Sequence, residues 1–270
     1  MKYKFISDSH THSERSFDGK DSVVMLSERA LGLGLYSLTV TDHCECNEFY
    51  EKNVRTDMEH SIRDIMKARG LYADRLTIYR GIELGQPLQD RKAADEALSL
   101  AEYDFVLGSL HNLEGVQDFY FLEYTQENVR PLLDRYFTEL LELAQCGLFD
   151  SLAHITYPFR YMSVAKGLDV DENQYMEQFD AVLEALVRND KALEVNTSGL
   201  RQLIGSTLPG EGIVRRFREL GGKYVTIGSD AHRWGDVGAG IEDGLNMLLH
   251  CGFTHFTVYS KREPVMLPIL

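Results

Sequence analysis

Short apolar runs alternate along this chain with longer stretches in which apolar residues recur every three or four positions. The short runs, at residues 4–7, 37–41, 76–80, 104–108, 149–153, 192–196 and 224–228, predict strands. The longer ones, near 21–33, 57–73, 88–101, 127–146, 171–188, 210–220 and 236–250, predict helices. The clearest is 131–146, where Leu133, Tyr136, Phe137, Leu140, Leu141 and Ala144 keep the i, i+3, i+4, i+7 spacing and Gly147 follows as a C-cap. A final run at 253–259 predicts an extra strand. Seven strand–helix units with no long linker, low-complexity tract or repeat predict a parallel α/β fold, either a barrel or an open doubly wound sheet. Periodicity alone does not separate the two.

The polar residues at the strand ends do. The runs lead into His10 and His12, Thr41-Asp42-His43, Gly81-Ile82-Glu83, Ser109-Leu110-His111, Ala153-His154, Glu194-Val195-Asn196-Thr197 and Ser229-Asp230-Ala231-His232. Metal-ligand residue types stand at six of these seven ends, and they include six of the nine histidines. Active sites of βα barrels gather at the C-terminal strand ends, so the pattern favours a barrel. A lone histidine is more often a satisfied structural residue. Taken together these residues point to a cluster of divalent metals. At the first end, strand alternation places His10 and His12 on one side with Asp8 below them.

Composition sets bounds on this picture. A chain of 270 residues with 44% hydrophobic content suffices for one full core, and we expect a single catalytic domain over 1–270. No apolar run approaches the roughly 18–20 residues that span a bilayer. No signal-peptide pattern opens the chain, and Cys44, Cys46, Cys146 and Cys251 form no disulfide framework, so a cytoplasmic location is expected. Cys44-x-Cys46 beside His43 lacks the second cysteine pair of a thiolate site. The net charge of −14 repels nucleic-acid backbones and anionic membranes, and neither is expected as a partner. A small anionic substrate stays compatible, because metal ions reverse the field inside one cleft.

From His10 to His232 these motifs, in this order, resemble the polymerase-and-histidinol-phosphatase (PHP) family of metal-dependent phosphoesterases, on its histidinol-phosphatase side. The resemblance implies a distorted (β/α)7, TIM-like barrel and three divalent metal ions, with zinc, iron and manganese all suited to imidazole and carboxylate ligands. It implies that His10, His12, Glu83 and Asp230 hold the first ion. Glu83 would bridge to a second, completed by His111 and His154, and Asp18, His43 and His232 would hold the third. Many polymerase-type members have histidine where Asp18 stands. Asp230, His232 and Glu83 are expected to be the catalytic members.

Three such cations bring +6 and Asp18, Glu83 and Asp230 bring −3, which leaves a formal +3 to attract a phosphate monoester dianion. A hydroxide bridging two metals exists near neutral pH, and in-line attack then needs positioning more than a protein nucleophile. Neither G-x-S-x-G nor a Walker-type loop occurs. Arg160 and Arg201 follow ligand-bearing or polar strand ends and are expected to clamp phosphate oxygens, with Ser198, Arg15 and Arg233 as helpers. Asp8 and Asp42 are read as acceptors that orient ligand imidazoles. His60, His250 and His255 fall outside the signatures and are read as structural. The segment 113–124 holds Phe119, Tyr120, Phe121 and Tyr124 among Glu114, Asp118 and Glu123. It reads either as a lid with an aromatic face for an imidazole and a carboxylate for an amine, or as packing against the barrel.

The expected function is hydrolysis of L-histidinol phosphate to L-histidinol and phosphate. The alternative is a PHP phosphoesterase acting on nucleotides or oligonucleotide ends. A non-catalytic metal-holding domain fits less well, because all nine ligand positions carry ligand-type residues. An amidohydrolase fits less well too, because no lysine stands at a strand end.

Overall fold

The first strand shows where burial and hydrophobicity part company. In the computed structural model, which describes residues 3–165 and 167–270, β1 is Ser7–Thr11. Its apolar signal at 4–7 lies before it: Tyr3 and Ile6 are core residues outside the ladder, and the polar SDSHT run is buried throughout. Its side chains bond inside the barrel. Ser37 Oγ donates to Ser7 Oγ at 2.9 Å, and Asp8 accepts from the backbone N and Oγ of Ser229.

The remaining elements alternate as predicted, apart from β3 and α5, which the sequence did not predict: α1 (Val23–Gly32), β2 (Ser37–Val40), β3 (His43–Glu45), α2 (Val54–Tyr72), β4 (Thr77–Gly85), α3 (Arg91–Ser99), β5 (Phe105–Ser109) and α4 (Val129–Cys146). Then follow β6 (Ser151–Leu152), α5 (Phe159–Met162), α6 (Met176–Arg188), β7 (Ala192–Asn196), α7 (Glu211–Glu219), β8 (Val225–Gly228) and α8 (Ile241–His250). An antiparallel hairpin, β9 (His255–Ser260) and β10 (Glu263–Pro268), ends the chain. Seven strands pair in parallel in the order β1-β2-β4-β5-β6-β7-β8, while β3 pairs beside the far end of β4. The barrel closes only at its C-terminal rim, through the Thr11–Ala231 bridge and the bond from Asp230 N to His10 O, 2.8 Å. This is a nearly closed barrel of seven parallel strands, and the open-sheet alternative is excluded.

Three further elements depart from the sequence reading. The strand expected at 76–80 runs on to Gly85 and carries Glu83 within it, because β3 and β5 give its second half pairing partners on both edges. β6 keeps only two residues. β10 was not predicted; its residues are largely exposed and show no inward alternation. The hairpin's turn residues, Lys261 and Arg262, reach the start of β5 and β6: Lys261 N donates to Asp104 Oδ1, and Arg262 pairs with Asp150 at 2.8 Å. Tyr259 stacks on Phe105 at 5.3 Å, so the hairpin covers the N-terminal side of these strands.

Helix α4 buries Leu133, Tyr136, Phe137 and Leu140 as its spacing predicts, though Leu143 replaces Leu141 on the inner face. Gly147 caps it at φ 72°, where a Cβ would be strained. Each fully buried Leu or Phe of such a face contributes about 1.5–3 kcal/mol, which anchors the helix layer on which the strand ends depend.

Candidate metal centre at the C-terminal rim

Parallel strands deliver their last side chains to one rim, and there six imidazoles meet three carboxylates. His10 lies in β1 and Glu83 in β4; His12, His43, His111, His154, Asp230 and His232 stand in or just beyond strand ends. His154 and Asp230 adopt positive φ, 24° and 54°, a cost that non-glycine residues bear chiefly at functional sites.

The imidazole nitrogens face each other in pairs. Nε2 to Nε2 is 3.0 Å for His10–His12, 3.4 Å for His111–His154 and 3.4 Å for His43–His232. Two ligands of a tetrahedral ion at metal–nitrogen distances of 2.0–2.1 Å stand about 3.3 Å apart. Glu83 lies among the pairs. Its Oε1 is 3.1 and 3.0 Å from His111 and His154 Nε2, and its Oε2 is 3.4 and 3.5 Å from His10 and His12 Nε2. That second oxygen is fully buried and has no well-aligned hydrogen bond, with His43 Nδ1 2.9 Å away. A buried carboxylate oxygen without such a bond is costly, and a cation within the nitrogens' reach would satisfy it. Asp230 Oδ1 is 3.6 and 3.5 Å from His10 and His12 Nε2, and Asp18 Oδ2 is 3.1 Å from His232 Nε2. Three sets have ligand atoms mutually close enough for one ion: His10, His12 and Glu83; His43, Glu83 and His111; and His12, His43 and His232. The residues present therefore fit divalent metals.

The electrostatics agree. Burial works against ionisation of Glu83 and Asp230, but the surrounding imidazoles hold both carboxyls well below their usual range. Asp18 is lowered to about 2, against burial, by His232 and His43. Burial, with His43 and His232 alongside, keeps His12 neutral and available as a ligand. At His10 burial is outweighed by Glu194, Glu83 and Asp230, which push its pKa up.

Around this centre lies a second set of contacts. Glu194 Oε1 is 2.6 Å from His10 Nδ1, and its Oε2 accepts from His154 N. Glu45 Oε1 is 3.0 Å from His111 Nδ1. Ser16 Oγ is 3.2 Å from His12 Nδ1 and donates to Asp42.

Above the centre opens a cavity of about 910 Å³. Its lining includes the cations Arg160 and Arg201, the carboxylate Asp118, and an aromatic wall of Tyr120, Phe121, Tyr157 and Tyr161. Arg160 donates to Ser198 Oγ at 3.0 Å, lies 3.5 Å from Asp230 Oδ2 and lies over the Tyr157 ring, while its buried Nε has no partner. Arg201 donates to Ser229 O at 2.8 Å.

A family profile described as PHP domain matches residues 8–198. The chain belongs to the PHP family. A probable histidinol-phosphatase of Thermotoga maritima is 30% identical over 257 residues, 94% of this chain and 96% of the relative. One of Clostridium acetobutylicum is 28% identical over 250 residues, 90% and 93% of the two chains. The fold is that of the histidinol phosphate phosphatase of Lactococcus lactis, solved with zinc, L-histidinol and phosphate (TM-score 0.77, 22% identity, 96% and 98% coverage). The PHP match ends before Asp230 and His232, which the rim bridge brings back to the centre.

Several helpers stand elsewhere than expected. Ser198 is buried, donates to Asn196 Oδ1 and does not line the cavity. Arg15 is held by Asp64 of α2 at 2.8 Å, and Arg233 by Asp236 at 3.0 Å; neither lines the cavity. Asp8 and Asp42 touch no imidazole: Asp8 pins the Ser229 loop and Gly238, and Asp42 gathers Ser13, Ser16 and Ser61. The segment 113–124 divides between both readings. Phe119 packs into the core against Tyr136, whereas Asp118, Tyr120 and Phe121 face the cavity and Glu114 and Glu123 do not. Glu45 and Glu194 carry contacts that the sequence did not announce. Glu45 stands inside the Cys44–Cys46 pair, and Glu194 meets His10 across 184 positions.

Proposed function

We propose that this PHP protein hydrolyses L-histidinol phosphate to L-histidinol and phosphate, with three divalent ions held as the resemblance assigns them. Ligand atoms for the first come from His10, His12, Glu83 and Asp230, for the second from Glu83, His111 and His154, and for the third from Asp18, His43 and His232. The observation that carries the reading is the three facing imidazole pairs around the buried carboxylate of Glu83 at the base of an arginine-bearing cavity. The relatives named histidinol-phosphatase, matched over nine-tenths of the chain, support the substrate. When bound, zinc, iron or manganese supplies Lewis acidity toward phosphoryl oxygens and lowers the pKa of water.

The chain's own residues do the rest. Glu45 and Glu194 also touch the imidazoles, so five carboxylates, not three, set against +6, leave the centre only +1. Phosphate attraction then leans on Arg160 and Arg201, the two arginines that line the cavity. Arg160→Ala should lower kcat/KM about 10- to 150-fold on any phosphomonoester, the equivalent of a charge-assisted bond of about 1.5–3 kcal/mol. Unchanged kinetics would return Arg160 to a structural role beside Asp230.

Asp118 is the one carboxylate in the cavity lining outside the metal cluster among the described residues, and it is set in the aromatic wall. It suits the substrate's ammonium, and the Tyr120, Tyr157 and Tyr161 rings suit its imidazole. The test is steady-state hydrolysis of histidinol phosphate, a nucleoside monophosphate, a 5′-labelled oligonucleotide and an aryl phosphate. Histidinol phosphate should lead by more than about tenfold in kcat/KM, and Asp118→Asn should raise its KM about tenfold while sparing the aryl phosphate. A nucleotide preference of that size would overturn the substrate assignment and leave the metal centre standing.

A further inference from the structure

Glu45 is buried at the rim, and everything around it is shaped to its carboxylate. β3 and β4 run parallel with Glu45 opposite Gly85 and His43 opposite Glu83. Alternation puts His43 and Glu45 on one face. A Cβ on residue 85 would lie 2.5 Å from Glu45 Oε2, so glycine there leaves the space the carboxylate fills. The next residue, Gln86, holds φ 46°, a strained conformation for a non-glycine, and its Nε2 donates to Glu45 Oε2 at 2.6 Å. Its Oε1 accepts from His111 N at 3.3 Å.

The other oxygen, Oε1, faces two histidines. It is 3.0 Å from His111 Nδ1 and 3.3 Å from His43 Nδ1, which it shares with Glu83 Oε2 at 2.9 Å. Both rings then present Nε2 elsewhere: His111 toward His154 and Glu83, and His43 toward His232 and Asp18. No lysine or arginine pairs with Glu45, so the usual structural use of a buried carboxylate is missing among the described residues. A carboxylate on the far nitrogen fixes a ligand imidazole's tautomer and raises its basicity, and its loss typically costs 10- to 100-fold in metal affinity.

We propose that Glu45 is a shared positioning residue that sets metal affinity at two sites at once, those served by His111 and by His43, and leaves the His10–His12 site to Glu194. The inference rests on the metal-centre reading above. It couples the two sites, because one carboxylate oxygen faces both rings, at His43 together with Glu83.

The test equilibrates metal-loaded protein against a graded zinc chelator and counts retained zinc per chain by elemental analysis, with circular dichroism as a check on folding. Wild type should retain three ions at low chelator. Glu45→Gln, which keeps the shape and the Gln86 contact, should release two of them together at about 10- to 100-fold lower chelator and keep the third. Gly85→Ala, which displaces the carboxylate but keeps its charge, should shift the same two. High zinc should restore turnover in both variants. A Glu45→Gln release curve matching wild type overturns the inference, even if activity falls. So does release of all three ions in step, the mark of a merely structural role. A wild type retaining no tight zinc overturns the metal-centre reading and this inference with it.

Discussion

Exhaustive chelation should abolish turnover and lower the midpoint of thermal unfolding, and readdition of zinc or manganese should restore both. The rim gathers five carboxylates, Asp18, Glu45, Glu83, Glu194 and Asp230, in contact with the imidazoles and mostly out of reach of water. Without cations, protons on the imidazoles are the main neutralising charge there. Burial opposes that protonation, but Glu45 and Glu83 overcome it at His111 and raise its pKa to about 10, and His10 and His43 rise for the same reason. Those folded values lie above the unfolded value of about 6.5. The stability these groups lend the metal-free protein is therefore complete below about pH 6.5 and is lost as pH climbs toward 10. Metal binding runs the other way, since ligands must shed protons before they coordinate. The stabilisation by metal should thus grow between pH 6.5 and 9.5. An ion at 100 times its dissociation constant adds about 2.7 kcal/mol, and at this chain length that is worth at least about 5 °C. Scanning calorimetry of metal-free and reloaded protein at the two pH values reads the effect. Metal-free protein with turnover within tenfold of the loaded form, or with an unchanged midpoint, would sink the metal centre.

How much of this was legible beforehand depends on what each signal reports. Hydrophobic periodicity reports which faces are apolar. It located residues 192–196, where β7 is a continuous buried run, and the inner face of α4 apart from Leu143. It failed at β1, because a strand that feeds a charged centre is polar even when every residue is buried. It also shortened β4, since Glu83 reads as a strand end unless β3 is known to pair beside it. Ligand-type residues at strand ends pointed to the rim because parallel topology sends all of them to one side. Contacts across the rim obey no local rule. Glu194 reaches His10 only because the barrel nearly closes, and Glu45 reaches His111 because β3 and β5 flank the same end of β4. Arg15 and Ser198 sit beside motif residues in the chain, yet their side chains turn to Asp64 and Asn196.

Glu83→Gln is the substitution expected to cost most. Both Glu83 oxygens face imidazole nitrogens: Oε1 looks to His111 and His154, and Oε2 to His10, His12 and, at 2.9 Å, His43. No other side chain of the described rim faces all three imidazole pairs. Glutamine keeps the volume and leaves the strand ladder untouched, including the bond from Glu83 N to Asp42 O, so the barrel should fold as before. It removes one buried negative charge, however, and aims an amide N–H₂ at nitrogens that need to offer lone pairs. Losing a bridging ligand takes away several kcal/mol of charge stabilisation, so kcat should fall by about 10³-fold or more. Among the imidazoles Asp230 faces only His10, His12 and His232, so Asp230→Asn should deplete fewer ions than Glu83→Gln does. Zinc per chain, measured beside kcat, separates the two variants. Should Glu83→Gln stay within about tenfold of wild-type turnover with its metal content intact, Glu83 is not the bridge, and the facing imidazole pairs would have to hold their ions without a shared carboxylate.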